Sequence, residues 1–127
     1  MLVDTDVLIW HLRGCPKATQ RLDQLDKLTI SAVTYLLELL QGMRNRAELV
    51  ALQKSLAQRK AERLPITPAI TERAIALMEG LALSHGMQMG DALIVATAIE
   101  HNLPVLTANV KHFDSVDGLR VERFEPN

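Results

Sequence analysis

A single cysteine, Cys15, stands in 127 residues, so the chain can form no internal disulfide and suits a reducing compartment. Aromatic residues are almost missing. One Trp, one Tyr and two Phe make up 3% of the chain, which excludes nucleic-acid recognition built on extensive base stacking. The sequence contains no glycine-rich phosphate loop and no G-x-S-x-G elbow, so it signals neither a nucleotide cradle nor a serine nucleophile. No purely apolar stretch approaches the length that spans a bilayer, and the start MLVDTD has no basic n-region. A soluble, cytoplasmic protein without a membrane partner is the expectation. The net charge of −1 excludes wholesale electrostatic attraction to nucleic acid but leaves room for a local basic patch.

What is present describes a globular protein. A hydrophobic content of 48% beside 23% charge argues against disorder, and residues 1–127 form one domain that buries roughly two thirds of its unfolded surface. MLV reads as a short strand and DVLIWHLRG as a helix closed by Gly14. Pro16 opens the helix that carries KATQRLDQL. LTISAV is β-branched and apolar, a buried strand, and TYLLELLQG is a helix stopped by Gly42. RAELVALQKSLAQRKAER is helical, and LPI is too brief to assign. Thr67 caps a helix that starts at Pro68, with Ile70, Ala74, Leu77 and Leu81 facing inward. GDALIVATAIEHN is apolar nearly all round and reads as a buried helix. LPVLT is a strand, NVKHFDSVDG a turn-rich loop, and LRVERF a last, edge strand. Strands that alternate with helices favour an α/β fold with a parallel-type central sheet of four to five short strands.

In such a sheet, ligands collect outside the carboxyl ends of the strands. Asp4 ends the first strand, Glu38 lies in the helix after the second, Asp91 opens the buried helix, and Asn109 follows LPVLT. Each has a plainer role available. Asp4 can cap the helix behind it, as can Thr5 or Asp6, and Asp91 sits where a carboxylate meets the positive end of a helix. Glu38 shares a helical stripe with Thr34, Gln41 and Asn45 that solvent exposure alone would explain. Of the first two acids, Asp4 is the expected ligand and Asp6 the expected helix cap. Carboxylates gathered without nearby bases repel one another and need a cation. All-oxygen ligands suit Mg²⁺ or Mn²⁺, whose chemistry points to phosphodiester hydrolysis.

The remaining polar residues are less telling. His11, His85 and His101 lack metal-ligand spacing and read as surface or helix-end residues, and Cys15 reads as inert. Arg44, Arg46, Lys54, Arg59, Lys60 and Arg63 face only Glu48 and Glu62 in the same segment. They make either a solvated helix face or a phosphate-contacting surface beside the acidic pocket.

MLVDTDVLIWHLRG, TISAVTYLLELLQG and MGDALIVATAIEHNLPVLTANVKHFDSVDGLRV together resemble the PIN domain, specifically the VapC-type toxins of toxin–antitoxin pairs. The likeness runs through almost the whole chain, with GDALIVATA followed by LPVLTANVKHF its most specific part. The resemblance implies an endoribonuclease that uses Mg²⁺ or Mn²⁺ and acts on an RNA substrate. It also implies inhibition by a cognate antitoxin, and commonly a homodimer. By this resemblance Asp4, Glu38 and Asp91 match the first three acidic positions. Asn109 is a supporting polar group or water-bridged fourth ligand. Two departures stand out. Thr34 and Glu38 are four residues apart where the family usually has three, and one extra α-helical residue turns a side chain by about 100°. The adjustment is expected between Thr34 and Leu36. His112 occupies a position where many relatives carry an acid, so the site has one negative charge fewer. Two alternatives remain open: a PIN-like module that binds RNA or protein without cutting, and a DNA nuclease.

Overall fold

Leu2 and Val3 are neighbours in sequence but bury their side chains in two different cores, as the two-residue period of a strand demands. They form β1 (Leu2–Val3), which pairs in parallel with β2 (Thr29–Ser31) and with β4 (Val105–Thr107). β3 (Glu62–Leu64) pairs with β2, and β5 (Val121–Arg123) pairs with β4, again in parallel. The order is β3-β2-β1-β4-β5. The computed structural model describes the backbone of residues 1–127 and every side chain except that of Leu37.

Both faces of this sheet are covered, which is the usual condition of an all-parallel sheet. On one side α4 (Pro68–His85) and α5 (Met89–Glu100) pack Ile70, Ala74, Val95 and Ala98 against Leu2, Val105 and Phe113. On the other, α1 (Thr5–Leu12), α2 (Pro16–Asp23), a π-helix (Thr34–Leu40) and α3 (Arg46–Gln58) bring Val7, Leu22, Leu39 and Leu52 onto Val3, Ile30 and Leu106. The Thr67 cap on Ile70 N–H is as the sequence indicates, and α5 is buried at Ala92 and from Ile94 to Ala98. Among the described residues no helix is long and apolar enough to cross a membrane.

Three boundaries differ from the sequence reading. LTISAV yields a strand only over Thr29–Ser31, and helical winding has begun by Ala32. The helix expected through Arg63 ends at Gln58; Lys60 takes a left-handed backbone at φ 51 and turns the chain into β3. That strand is Glu62–Leu64, which takes in only the first residue of the unassigned LPI. A 3₁₀ turn at Val110–His112 interrupts the loop after β4. Charge and helix propensity in QRKAER gave no sign of the strand, which tertiary pairing with β2 imposes.

Because every strand runs the same way, all the carboxyl ends lie along one edge. Strand order reverses between β1 and β4, and such a reversal opens a crevice at that edge.

Candidate active site

Asp4 follows β1 directly at this crevice. Its N–H donates to the Leu106 carbonyl of β4 at 2.9 Å, so the neighbouring strand fixes its backbone. Its side chain caps α1: Oδ1 accepts from Thr5 N–H at 2.8 Å, and Oδ2 accepts from the Thr107 hydroxyl at 2.9 Å. Only 6% of the residue is exposed. Burial, then the charge of Asp6, pushes its carboxyl up to about 7; the two hydrogen bonds oppose the rise and Glu38 adds to it.

Asp6 does not cap α1, contrary to expectation. Asp4 already occupies the cap position, and Asp6, in the first helical turn, reaches across to the loop after β4. Its Oδ2 accepts from Ala108 N–H and from the Asn109 side-chain amide, both at 3.0 Å, and from the Thr107 hydroxyl at 3.4 Å. Its other oxygen, Oδ1, is buried without a partner. Asn109 is therefore at the site, but its amide is engaged by Asp6, and its backbone N–H donates to Thr107 Oγ1 at 3.0 Å.

Glu38 reaches the same place through the π-helix. A π turn bonds i to i+5 and takes about one more residue than an α turn. The extra residue between Thr34 and Glu38 is absorbed by this wider winding over Thr34–Leu40, within and beyond the segment where the sequence suggested an adjustment. Glu38 Oε1 accepts from the Thr5 hydroxyl at 2.7 Å. Burial raises its carboxyl, the Thr5 bond opposes that, and the charges of Asp91 and Asp6 add to it. Of the stripe that solvent exposure would explain, Glu38, Gln41 and Asn45 are exposed and only Thr34 is fully buried; Asn45 caps α3 at Glu48 N–H.

Asp91 stands in the first turn of α5 and faces His112, whose Nδ1 lies 3.4 Å from its Oδ2. Burial raises its carboxyl, His112 lowers it, and Asp6 raises it again. Each of the four acids thus holds its proton more tightly than usual, and the charges of Asp6, Glu38 and Asp91 are each felt by at least one other acid of the set. Among the described residues, Asp4, Asp6 and Glu38 form no ion pair.

The donor set fits a hard dication. Its members are carboxylate oxygens, three of the four with no base paired to them among the described residues, and one buried oxygen is unpartnered. Among the described residues no three acidic, histidine or cysteine side chains converge tightly enough to chelate an ion outright. A cation here would rest on one or two carboxylates and retain water, which is the habit of Mg²⁺. Three supporting residues were not anticipated. Thr5 and Thr107 orient Glu38 and Asp4, yet threonine in a strand or helix start is too ordinary to stand out. Asp6 carries the same sequence signal as Asp4, an acid inside an apolar run, for which helix capping is the commoner role.

Of the basic residues in the α3 region, Arg44 pairs with Glu48 and Arg59 with Asp23. The Arg63 guanidinium lies 4.6 Å from the centre of the Tyr35 ring. His11 is no simple surface residue: its ring meets the hydroxyls of Thr19 at 2.7 Å and Ser55 at 3.3 Å, linking α1, α2 and α3. A groove of about 610 Å³ runs between α1 and the π-helix, with Ile9, Leu12, Leu39 and Met43 along it and Glu38 on its wall.

The family model of the PIN domain matches residues 1–119. The chain is 40% identical over 124 residues to Ribonuclease VapC10 of Mycobacterium tuberculosis, with 94% of this chain and 90% of that protein covered. Its structure is similar to a toxin–antitoxin complex from Klebsiella pneumoniae, at a TM-score of 0.74 and 26% identity over 99% of this chain and 97% of that one. It also follows VapBC2 from Rickettsia felis bound to a promoter DNA fragment, at a TM-score of 0.83 over 98% of each chain; at 20% identity that likeness concerns the fold.

Proposed function

From its membership of the PIN domain family, we propose that this chain is the toxin of a type II toxin–antitoxin pair, a metal-dependent endoribonuclease acting in the cytoplasm. The observation that carries the reading is the set of four carboxylates with raised proton affinity at one crevice, three of them without a counter-ion. Bound Mg²⁺ or Mn²⁺ supplies a polarised water for attack on the phosphodiester and compensates charge on the departing oxygen. Asp4 and Asp91 would hold the ion, Asp4 with its carboxylate fixed by Thr5 N–H and the Thr107 hydroxyl. Glu38, oriented by the Thr5 hydroxyl, serves as ligand or as the base that takes the water's proton. Asp6 and Asn109 lock the β4 loop beside them. Lys54, Lys60 and Arg46 offer positive charge for the RNA backbone on a chain of net charge −1.

The antitoxin partner is supported by the groove beside Glu38, since an amphipathic segment laid along Ile9, Leu12 and Met43, with polar groups meeting Arg13 and Arg44, would close one side of the site. The homodimer is supported only by exposed apolar residues, Leu83 and Met89 chief among them; of TYLLELLQGM, Thr34 and Leu39 are buried and Leu36 is half exposed.

The test is cleavage of structured RNA by purified protein with Mn²⁺, beside EDTA and Asp4→Ala controls. The expected products carry a 5′-phosphate and a 3′-hydroxyl, and DNA of the same sequence stays intact. Equal cleavage by the wild type and Asp4→Ala would overturn the reading.

A further inference from the structure

We infer that His112 is a nitrogen ligand to the cation of the acidic site, and that the Asp91–His112 pair selects a transition dication such as Mn²⁺ over Mg²⁺. The inference rests on the metal-dependent reading above and adds to it the identity of the ion.

The geometry of the pair is that of co-ligands more than of bonded partners. Nδ1 of His112 and Oδ2 of Asp91 are 3.4 Å apart. A charge-assisted hydrogen bond between them would draw them to about 2.7–2.9 Å. Two donors at adjacent corners of an octahedral ion, each about 2.1–2.2 Å from it, stand roughly 3 Å apart. The observed spacing therefore needs only a few tenths of an ångström of closure around an ion.

The turn that carries His112 is held in place from two sides. Below, Phe113 is fully buried against Val105 and Ala96 in the core. Alongside, the Asn109 amide is bonded to Asp6, and His112 N–H donates to the Asn109 carbonyl at 3.0 Å. The imidazole itself is 56% exposed, presented toward Asp91 and not packed away. A cleft of about 140 Å³, bordered by His85, Lys111 and Asp114, opens beside the pair and leaves space for the waters such an ion keeps.

The chemistry then follows from the donor atoms. Mg²⁺ takes oxygen and accepts imidazole poorly, whereas first-row transition dications accept both, so a mixed nitrogen–oxygen pair discriminates between them. The competing role for His112 is a counter-ion that only neutralises Asp91. That role makes the opposite prediction, because removing a positive neighbour strengthens the hold on any cation.

EDTA-stripped full-length chain is titrated with Mn²⁺ and with Mg²⁺ by calorimetry, and the Mn²⁺-loaded form is read by pulsed EPR for ¹⁴N coupling. The expected result is ¹⁴N coupling in the wild type, lost in His112→Ala and kept in His85→Ala. His112→Ala should lose about tenfold in Mn²⁺ affinity, the low end of what a disturbed ligand environment costs, with Mg²⁺ affinity little changed. His112→Asp should move the Mn²⁺/Mg²⁺ affinity ratio toward Mg²⁺ by at least the same factor. Mn²⁺ bound without ¹⁴N coupling, or tighter binding of both ions by His112→Ala, overturns this inference and leaves the metal-dependent reading standing. Folded wild type that binds neither ion overturns both.

Discussion

The Thr5 hydroxyl donates to Glu38 Oε1 at 2.7 Å, joining the first turn of α1 to a π-helix 33 residues further along the chain. An α-helix would have carried Glu38 about 100° away for its one extra residue. The wider winding returns it to Thr5, and π segments do recur at functional sites. Thr5→Val keeps the shape and removes the donor. It should lower RNA cleavage by about tenfold, the order of one hydrogen bond to a charged group, with melting temperature nearly unchanged. Deleting the half-exposed Leu36 restores three-residue spacing, and should let the segment wind as an α-helix with activity retained. Loss of all activity in folded, Leu36-deleted protein would show that the π winding is not what positions Glu38.

Gly42 ends the same helix for a steric reason. A Cβ there would meet the Glu38 carbonyl oxygen at 2.9 Å, closer than real contacts come. Alanine ordinarily outranks glycine in a helix by about 1 kcal/mol, so the sign of the substitution is diagnostic. Gly42→Ala should destabilise by about 1–3 kcal/mol, the scale of overpacking, and should also lower activity by displacing the Glu38 backbone. A raised melting temperature by calorimetry would count against this account.

Asp6 is the latch of the β4 loop, accepting from Ala108 N–H and the Asn109 amide. Asp6→Ala leaves both donors without that acceptor, which should cost about 1–3 kcal/mol. Hydrogen exchange should speed up at Ala108 and Asn109 while β1 stays protected. Unchanged exchange at those two amides would remove the latch from the account.

Legibility in the sequence followed the range of the forces involved. Periodicity and capping disclosed α4 and α5, because Pro68, Thr67 and an apolar run act within a few residues. The strand Glu62–Leu64 was hidden, since its only cause is pairing with Thr29–Ser31 more than thirty residues away. Asp4, Glu38, Asp91 and Asn109 were each picked out, and the structure brings them to one edge of the sheet. Their division of labour was not readable. Whether Asp4 or Asp6 caps α1 depends on Thr107 and Ala108, a hundred residues downstream. The one-residue offset at Glu38 could be seen but not resolved, because a π turn and a shifted α-helix start look alike in sequence.

Asp4 carries a stability cost that pH exposes. In the folded, metal-free chain its carboxyl titrates near 7, against 3.8 for a free aspartate. Between those values the folded state holds a proton that the unfolded state has released, so stability falls as pH rises through that window. Asp6, Glu38 and Asp91 are raised as well and act in the same sense. His11 opposes them below its ordinary 6.5, since burial pushes its imidazole down and acid must charge it. The comparison with Asp4→Asn isolates the Asp4 share. In EDTA, the wild type should melt at a lower temperature at pH 8 than at pH 5.5, and Asp4→Asn should reduce that difference while melting higher than wild type at pH 8. Mn²⁺ at pH 8 should raise the wild-type melting temperature, because a cation bound only by the folded state replaces the missing proton, and should leave Asp4→Asn nearly unmoved. A wild-type melting curve in EDTA that is equal at the two pH values would mean that the Asp4 carboxylate is not held under strain at all.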